Sequence, residues 1–265
     1  MMNTLPLKPC ARYNYLPSDN NDIIDRDLLY HYIFKSVLRG NCVSPFNNSI
    51  EKVLEIGYSS GYWMMEMATD WPKCQFYGID IEPSTPDQVY PSNCFFEKGD
   101  YLNGLPYPND TFSMVTIRIA MFGLSNEQLS FLLDEVRRIS KKESFFEFLM
   151  PDLNIGSLGP LFKKLLKILG GNNNGGNKID QLLANRGFLN VANKKIVIPL
   201  VRGSTVGELG EFSLSALSLF IKTIDSGTKS LLNLSNEEDL MELIQQECEQ
   251  YNTHLNFVSG VYKKI

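Results

Sequence analysis

Short apolar runs and stretches with helical spacing of apolar residues alternate along the whole chain. A short apolar run between turn signals is typical of a buried strand, whereas apolar residues at every third or fourth position indicate an amphipathic helix. This pattern predicts strands at 53–56, 74–80, 95–102 (with the strand's exit), 112–119, 144–150, 187–198 and 254–262. It predicts helices at 22–38, 62–69, 126–139, 158–169, a stretch ending at 186, 206–223 and 236–249.

The alternation of strands and helices indicates an α/β protein. Such proteins build a mostly parallel sheet with right-handed crossovers and helices on both faces. We expect seven strands, with the last strand running antiparallel to the others. The helix at 126–139 is the best defined, because Ser125 and Gln128 form a capping-box pattern at its start.

One stretch, from Lys52 to Trp63, predicts a strand, a tight turn and the start of a helix. Gly57 and Gly61 flank the turn, and a glycine allows the backbone to bend sharply and to lie close to a ligand. The spacing differs from the G-x-G-x-x-G pattern that binds a dinucleotide pyrophosphate, which argues against an NAD-dependent oxidoreductase. Glu55, just before the turn, disfavours a phosphate and suits an amino group or a sulfonium. A plain strand-to-helix turn without a ligand is the alternative.

Acidic residues follow the next two predicted strands. Asp80 lies 19 residues after Gly61, and a carboxylate about 20 residues beyond such a turn accepts hydrogen bonds from ribose hydroxyls. A loop or helix-capping aspartate is the alternative, and we favour the ribose role. Asp100 and Tyr101 follow the third strand, where we expect them beside the edge and the face of an adenine ring.

Composition narrows the class of protein. The 265 residues carry a net charge of −5 and show no long basic run, which disfavours nucleic acid as a partner. The five scattered cysteines form no C-x-x-C pair, so we expect a reduced protein without a zinc site. No apolar run reaches the length of a membrane span. We therefore expect an intracellular protein of the cytoplasm or nucleus.

We expect a loose N-terminal segment at 1–21 and a single domain at 22–265. The cofactor-binding half of that domain would span about 50–150 and the C-terminal half 151–265. The Asn- and Gly-rich stretch at 170–177 is low in complexity and is predicted to be a flexible loop.

With the glycine turn, Asp80 and Asp100 placed, the chain resembles class I S-adenosylmethionine (SAM)-dependent methyltransferases. The resemblance is to the methyltransferase-domain proteins of fungi that include the secondary-metabolism regulator type, and it runs from Arg12 to Lys264. It implies a Rossmann-like class I methyltransferase fold and SAM as the cofactor. The matching stretches are VLEIGYSSGYWMMEM, FYGIDIEP, GDYLNGLPYPNDTF, LDEVRRI and GFLNV, and the helix beginning at Asp25 resembles one that lies over the cofactor.

The resemblance also implies roles for individual residues. It places Glu55, Gly57, Tyr58, Ser59 and Gly61 around the methionine part of SAM. Asp80 would bind the ribose, Ile81 would lie against the adenine, and Asp100 and Tyr101 would hold the adenine edge and face. Three features depart from the family pattern: Ser59 replaces a glycine, Ser113 stands where an aspartate is usual, and Lys141-Lys142-Glu143-Ser144 takes the place of a Pro-Gly-Gly turn before the fifth strand.

Two hypotheses about function follow. The first is a methyltransferase acting on a small molecule or a protein side chain. The second is a catalytically degenerate scaffold that binds SAM or a protein partner, which Ser59 and Ser113 favour. No Asn-Pro-Pro-Tyr motif follows the fourth strand, which argues against methylation of nucleic-acid bases or amides. Tyr15, His31 and Arg118 are candidates for contact with the acceptor, no catalytic residue is assigned, and His254 is expected to be structural.

Overall fold

The structure is a computed structural model that describes residues 20–84, 89–152, 158–170, 175–202, 207–223 and 237–265. The predicted loose segment at 1–19 and the acceptor candidate Tyr15 lie outside the described residues. So do residues 171–174 of the predicted flexible loop.

Seven strands form one sheet in the order β3-β2-β1-β4-β5-β7-β6. Strands β1 to β5 pair in parallel, and β7 runs antiparallel to both β5 and β6. The predicted fold class, a mostly parallel seven-stranded sheet with an antiparallel last strand, is confirmed. The strands are β1 Lys52–Ile56, β2 Gln75–Asp80, β3 Cys94–Lys98, β4 Phe112–Arg118, β5 Ser140–Asp152, β6 Phe188–Pro199 and β7 His254–Lys264.

Seven helices are described here, and they pack on both faces of the sheet. They are α1 Asn20–Leu38, α2 Tyr62–Asp70, α3 Asn126–Ile139, α4 Pro160–Gly170, α5 Gly175–Ala184, α6 Gly207–Lys222 and α7 Glu237–Tyr251. The capping box at Ser125 and Gln128 is present as predicted. The prediction of a loop at 170–177 was wrong at its ends: Gly170 ends α4, and residues 175–177 begin α5.

The two faces of the central strands differ in chemistry. Leu54, Ile56 and Ile117 belong to the large core that α3 and α5 cover. Val53 and Met114 point to the opposite face, where they pack with α2. Because side chains alternate along a strand, Glu55 shares that second face with Val53. This face therefore carries both apolar and charged groups beneath α1 and α2.

The turn between β1 and α2 adopts left-handed backbone conformations at three positions. Gly57 has φ 76°, Ser59 has φ 51° and Gly61 has φ 74°. Gly61 also lies close to Phe96, since a Cβ atom at this position would come within 2.6 Å of the Phe96 ring. The path of the turn thus requires both a residue that tolerates positive φ and one without a side chain.

We predict that Gly61→Ala destabilises the protein more than Gly207→Ala does. Gly207 also has positive φ, at 57°, but a Cβ atom there would meet nothing within 4 Å. Both substitutions carry the cost of a left-handed alanine, roughly 1–2 kcal/mol. Gly61→Ala adds a clash with Phe96, so its free energy of unfolding should fall by about 1–3 kcal/mol more in urea titrations. Equal losses would show that Phe96 moves aside without cost.

Candidate functional site at the carboxyl ends of the central strands

The Asp80 carboxylate joins the glycine turn to the end of β2. Its Oδ2 accepts a hydrogen bond from the Ser59 N–H at 2.8 Å, and its Oδ1 accepts one from the Glu82 N–H at 3.0 Å. The side chain is 4% exposed. A carboxylate has about four lone-pair positions, so one such group can accept from several donors, ligand hydroxyl groups among them. The predicted ribose role of Asp80 is compatible with this arrangement and stays a prediction.

Ser59 fits the turn although the family pattern has glycine at this position. Its φ of 51° lies in the left-handed region, which explains why glycine is the usual residue there. The Ser59 N–H bonds to Asp80 and the Ser59 carbonyl oxygen accepts from the Ser84 N–H at 3.0 Å. The serine therefore keeps the turn closed, at the expense of some backbone strain.

Tyr58 and Ile81, two other residues of the predicted site, pack their side chains into the protein interior. The Tyr58 ring is buried between α2 and β3, with its centroid 5.1 Å from that of Phe96. Tyr58 therefore presents its backbone, rather than its ring, to the turn. Ile81 directly follows β2, is half-buried and packs against the large core beside Asp80.

The structure corrects the expectation for Tyr101 and qualifies that for Asp100. The Tyr101 ring is fully buried in the large core, so it offers no exposed face to an adenine. Asp100 stabilises its own turn, where Oδ1 accepts from the Leu102 N–H at 2.9 Å and Oδ2 from Asn103 Nδ2 at 2.7 Å. Its carboxylate is half-buried and lies just beyond β3. Glu55, Gly57, Ser59, Gly61 and Asp80 form the compact part of the predicted site.

Helix α1 is fastened directly to the glycine turn. Ser60 Oγ donates to Asp27 Oδ2 at 2.9 Å, which joins α1 to the turn. Arg26 pairs with Asp27 and also donates to Thr223 Oγ1 at 3.0 Å, just beyond the end of α6. Helices α1 and α6 therefore form a cover whose position is coupled to the turn.

A row of polar side chains crosses the sheet beneath α1. Glu55 lies opposite Thr116, and Thr116 lies opposite Glu147. The three side chains are 4%, 2% and 5% exposed. Glu147 accepts hydrogen bonds from the backbone N–H groups of Val43 and Ser44, at 2.9 and 2.8 Å. Glu55 Oε2, by contrast, has no hydrogen-bond partner within the described residues.

Arg118, the last residue of β4, brings a positive charge to the same face. Its guanidinium carbon lies 5.8 Å from the centroid of the Phe34 ring and 5.9 Å from that of the Trp63 ring. Burial lowers the pKa of Arg118, and Glu55 and Glu147 oppose that shift. Burial raises the pKa of Glu55 from 4.5 to about 8, and the Arg118 charge limits the rise.

The residue after Arg118 is strained. Ile119 has φ 65°, which is rare for a β-branched side chain. The Ala120 N–H bonds to the Arg118 carbonyl oxygen at 2.7 Å, and the Ile119 N–H bonds to the Leu149 carbonyl oxygen at 2.6 Å. Strain of this kind often occurs at functional sites. Here it fixes where β4 ends and how the chain leaves Arg118.

His31, an acceptor candidate, lies on α1 under the same cover. Its Nε2 contacts the Glu66 carboxylate, which Lys35 also contacts. Burial chiefly lowers the pKa of His31, with a further contribution from the Arg118 charge. Its Nδ1 has no partner within the described residues. The other histidine, His254, begins β7, where its Nδ1 lies 3.5 Å from the Asn252 carbonyl oxygen.

Sequence reasoning missed Asp27 and Glu147 as parts of this region. Glu147 could have been noticed as the single charge inside the apolar run SFFEFLM. Nothing in the sequence indicated that Asp27 would meet Ser60, because the two residues are 33 positions apart. Together the compact site offers acceptors for hydroxyl groups at Asp80, a carboxylate for a cation at Glu55, and a backbone turn that a ligand can approach closely.

The comparisons with known proteins agree with this geometry. Residues 53–143 match a family model described as a methyltransferase domain. Methyltransferase str3 of Strobilurus tenacellus is 34% identical over 76 residues, which cover 29% of this chain and 27% of that protein. The secondary metabolism regulator laeA of Coprinopsis cinerea is 29% identical over 105 residues, which cover 40% and 26%. The matched segments thus span little more than a quarter of either relative.

Solved structures agree with the fold at low sequence identity. A phosphoethanolamine N-methyltransferase 2 of Haemonchus contortus, solved with S-adenosylhomocysteine, has a TM-score of 0.54 and 14% identity over 93% of this chain and 60% of that chain. The cyclase SpnF has a TM-score of 0.54 and 14% identity over 94% of this chain and 96% of that chain.

The resemblance to methyltransferases is thereby confirmed: in sequence residues 53–143 match a methyltransferase domain, and in fold the sheet and its helices resemble solved methyltransferase structures. The sequence relatives reported above are fungal, as expected. Within the described ranges, none of the helices has the length and apolarity that crossing a bilayer requires.

We predict that Glu55 makes the protein less stable as the pH rises. Because its pKa is about 8 in the folded protein and 4.5 ordinarily, folding takes up a proton between these values. The free energy of unfolding should then fall with rising pH, by at most about 1.4 kcal/mol per pH unit. Between about pH 5.5 and 7.5, the parent should lose about 2 kcal/mol relative to Glu55→Gln.

The measurement is urea unfolding of both proteins at each pH, with the exposed Glu82→Gln as a control that should follow the parent. If the parent and Glu55→Gln show the same pH dependence, Glu55 is ionised throughout and the predicted effect is absent.

Proposed function

We propose that this chain is a SAM-dependent methyltransferase acting on a small-molecule or protein acceptor. The observation that carries the proposal is the turn at residues 57–61, closed by Asp80 and preceded by the buried Glu55. The family model over residues 53–143 supports it. The names of the relatives, str3 as a methyltransferase and laeA as a regulator of secondary metabolism, point the same way.

The residues present fit SAM at both its amino-acid end and its nucleoside end. The Glu55 Oε2 atom, buried and without a partner in the described chain, suits a cationic group such as an ammonium. At the other end, the Asp80 carboxylate is of the chemical type that accepts hydrogen bonds from ribose hydroxyls. The site thus combines a carboxylate for a positive charge with an acceptor for a nucleoside.

When bound, SAM supplies a methyl group made electrophilic by its sulfonium. The chain's part is to hold the reacting groups in line and to exclude water, and such positioning can contribute up to roughly 7–11 kcal/mol. Helices α1 and α6, fastened by Asp27 and Arg26, form the cover that would exclude water. A general base is not required of the protein, and His31 and Arg118 are the nearest polar candidates for contact with the acceptor.

A degenerate scaffold is the second candidate, and the departures at Ser59 and Ser113 motivated it. Ser59 keeps the turn closed, and Ser113 lies near the amino end of β4, where its Oγ accepts from the Glu51 N–H at 3.4 Å. Neither position disrupts the carboxyl-end site, which favours the enzyme. The cyclase SpnF has a similar fold, so fold alone does not decide between reactions.

Three further points belong to this proposal. The chain acts as a single domain over residues 22–265. Its acceptor is not nucleic acid, given the net charge of −5 and the sequence Arg118-Ile119-Ala120-Met121 after β4. It works inside the cell, in the cytoplasm or nucleus.

We predict that the protein binds SAM and S-adenosylhomocysteine, and that Asp80→Ala weakens binding of both. Loss of hydrogen bonds to a charged acceptor costs about 1.5–3 kcal/mol, or roughly 10- to 150-fold in affinity. Calorimetry with both ligands, and with NAD as a non-ligand, is the measurement. Asp80→Asn, which keeps an acceptor for the Ser59 N–H, separates ligand contact from turn stability, and Glu82→Ala is the matched control on a neighbouring exposed carboxylate.

A folded parent that binds neither sulfur ligand would contradict the proposal. If Asp80→Ala binds as tightly as the parent, the ribose assignment is wrong although the cofactor assignment stands. Binding of SAM without methyl transfer to any acceptor in a screen of small molecules and proteins would favour the scaffold.

A further inference from the structure

A cleft of about 450 Å³ lies between α6 and α7, next to the end of β6. Its volume is within the range of sites that bind small molecules, roughly 300–1,000 Å³. Arg202, which follows β6, forms one end of the cleft, and side chains of the two helices form its walls. None of the residues of the turn at 57–61 lines it, so the cleft is separate from the candidate site.

The cleft lies on the side of α6 that faces away from α1. Helix α6 packs on α1 through Leu209 and Ala216, which share an apolar cluster with Phe34 of α1. Residues seven apart on a helix lie on the same side, and Glu211 and Ser218 are such a pair, lining the cleft together. The space beneath the cover of α1 therefore does not extend into the cleft.

The floor of the cleft is apolar and firmly held. Leu214 lines the cleft, is 4% exposed and belongs to an apolar cluster built from α4, α6 and α7. Met241 of α7 lines the cleft from the other helix and packs against the same cluster. An apolar group of a few carbon atoms would lose contact with water on this floor, which favours binding. The flexible Met241 side chain can adapt to the shape of that group.

Two opposite charges line the same cleft without pairing. Arg202 and Glu211 are both exposed, and no N–O distance between them is within 4.0 Å. Neither forms a salt bridge with another residue of the described ranges. A guanidinium binds a carboxylate through two parallel hydrogen bonds, and a carboxylate accepts from an ammonium. A ligand that carries both of these groups would bridge the two side chains.

We infer that the cleft binds an α-amino acid with an apolar side chain. Its carboxylate lies at Arg202, its ammonium at Glu211, and its side chain on Leu214 and Met241. An α-amino acid combines these three features in one small molecule. The inference is independent of the proposed function, because no residue of the cleft belongs to the cofactor site. The competing explanation is that Arg202 and Glu211 are solvated surface charges beside a groove that binds nothing.

The test is an NMR titration of the isotope-labelled full chain at about pH 6.5, where the α-amino group of a ligand is protonated. The four probes are L-leucine, L-leucinamide, which lacks the carboxylate, 4-methylpentanoate, which lacks the ammonium, and glycine, which lacks the apolar side chain. L-Leucine should shift the signals of α6 and α7 with a Kd of about 1 mM. Each of the other three probes should bind more weakly than L-leucine.

Variants assign each group of the ligand to its residue. Arg202→Gln should weaken leucine and 4-methylpentanoate by roughly three- to fivefold and leave leucinamide unchanged, because an exposed ionic contact contributes little. Glu211→Gln should weaken leucine and leucinamide and leave 4-methylpentanoate unchanged. Lys195→Gln and Glu208→Gln remove exposed charges outside the cleft and should bind leucine like the parent. Ser218→Trp, which fills the cleft, should abolish leucine binding.

The absence of leucine-dependent shifts at up to about 50 times the expected Kd would overturn the inference. Equal leucine affinity in the parent, Arg202→Gln and Glu211→Gln would overturn it as well. If 4-methylpentanoate binds as tightly as leucine, Glu211 holds no ammonium and the ligand class is wrong. If Ser218→Trp unfolds in urea like the parent and still binds leucine, the ligand lies elsewhere and the assignment of the cleft is wrong.

Discussion

The hydrogen bond from the Ser59 N–H to Asp80 is the contact on which the candidate site depends. Three residues of the turn hold positive φ values, and such a turn needs something to keep it closed. Asp80, at the end of β2, keeps the turn closed by accepting hydrogen bonds from two backbone N–H groups. Those bonds offset the cost of burying the carboxylate. The site is therefore built from the ends of two neighbouring parallel strands, and neither end alone would position a ligand.

The face beneath α1 carries a second constraint, because it holds charges away from water. A buried charge without a partner costs several kcal/mol. Glu147 is compensated by the backbone of residues 43 and 44, and Arg118 by two aromatic rings. Glu55 is the least compensated of the three, as its raised pKa indicates. A ligand that brings a positive charge to Glu55 would lower that cost, which makes the ligand part of the folded protein's electrostatic balance.

Much of the fold could be predicted because the local signals and the tertiary structure agree. The apolar run before Gly57 gives β1, and the Ser125 cap gives α3 within the predicted bounds. Strand β5 begins four residues earlier than predicted, at Ser140, because Ser140 pairs with Phe112, which the local sequence does not reveal. The candidate site was harder to predict from the sequence than the fold. Tyr101 looked like an exposed aromatic beside Asp100, but it fills the core, and no pattern distinguishes the two outcomes.

The cover formed by α1 and α6 bears on the choice of acceptor, which the sheet alone does not determine. The carboxyl-end site follows from strand order and the glycine turn, which proteins of differing activity share in this fold. In this chain the bond from Ser60 to Asp27 joins the turn to α1, and the bond from Arg26 to Thr223 joins α1 to the end of α6. Through the pair of Arg26 and Asp27, the two bonds link the turn to both helices of the cover. Because one network touches the turn and both helices, binding at the turn and the shape of the acceptor space cannot vary independently. Acceptor choice should therefore depend on the helical cover together with the turn to which the cover is joined.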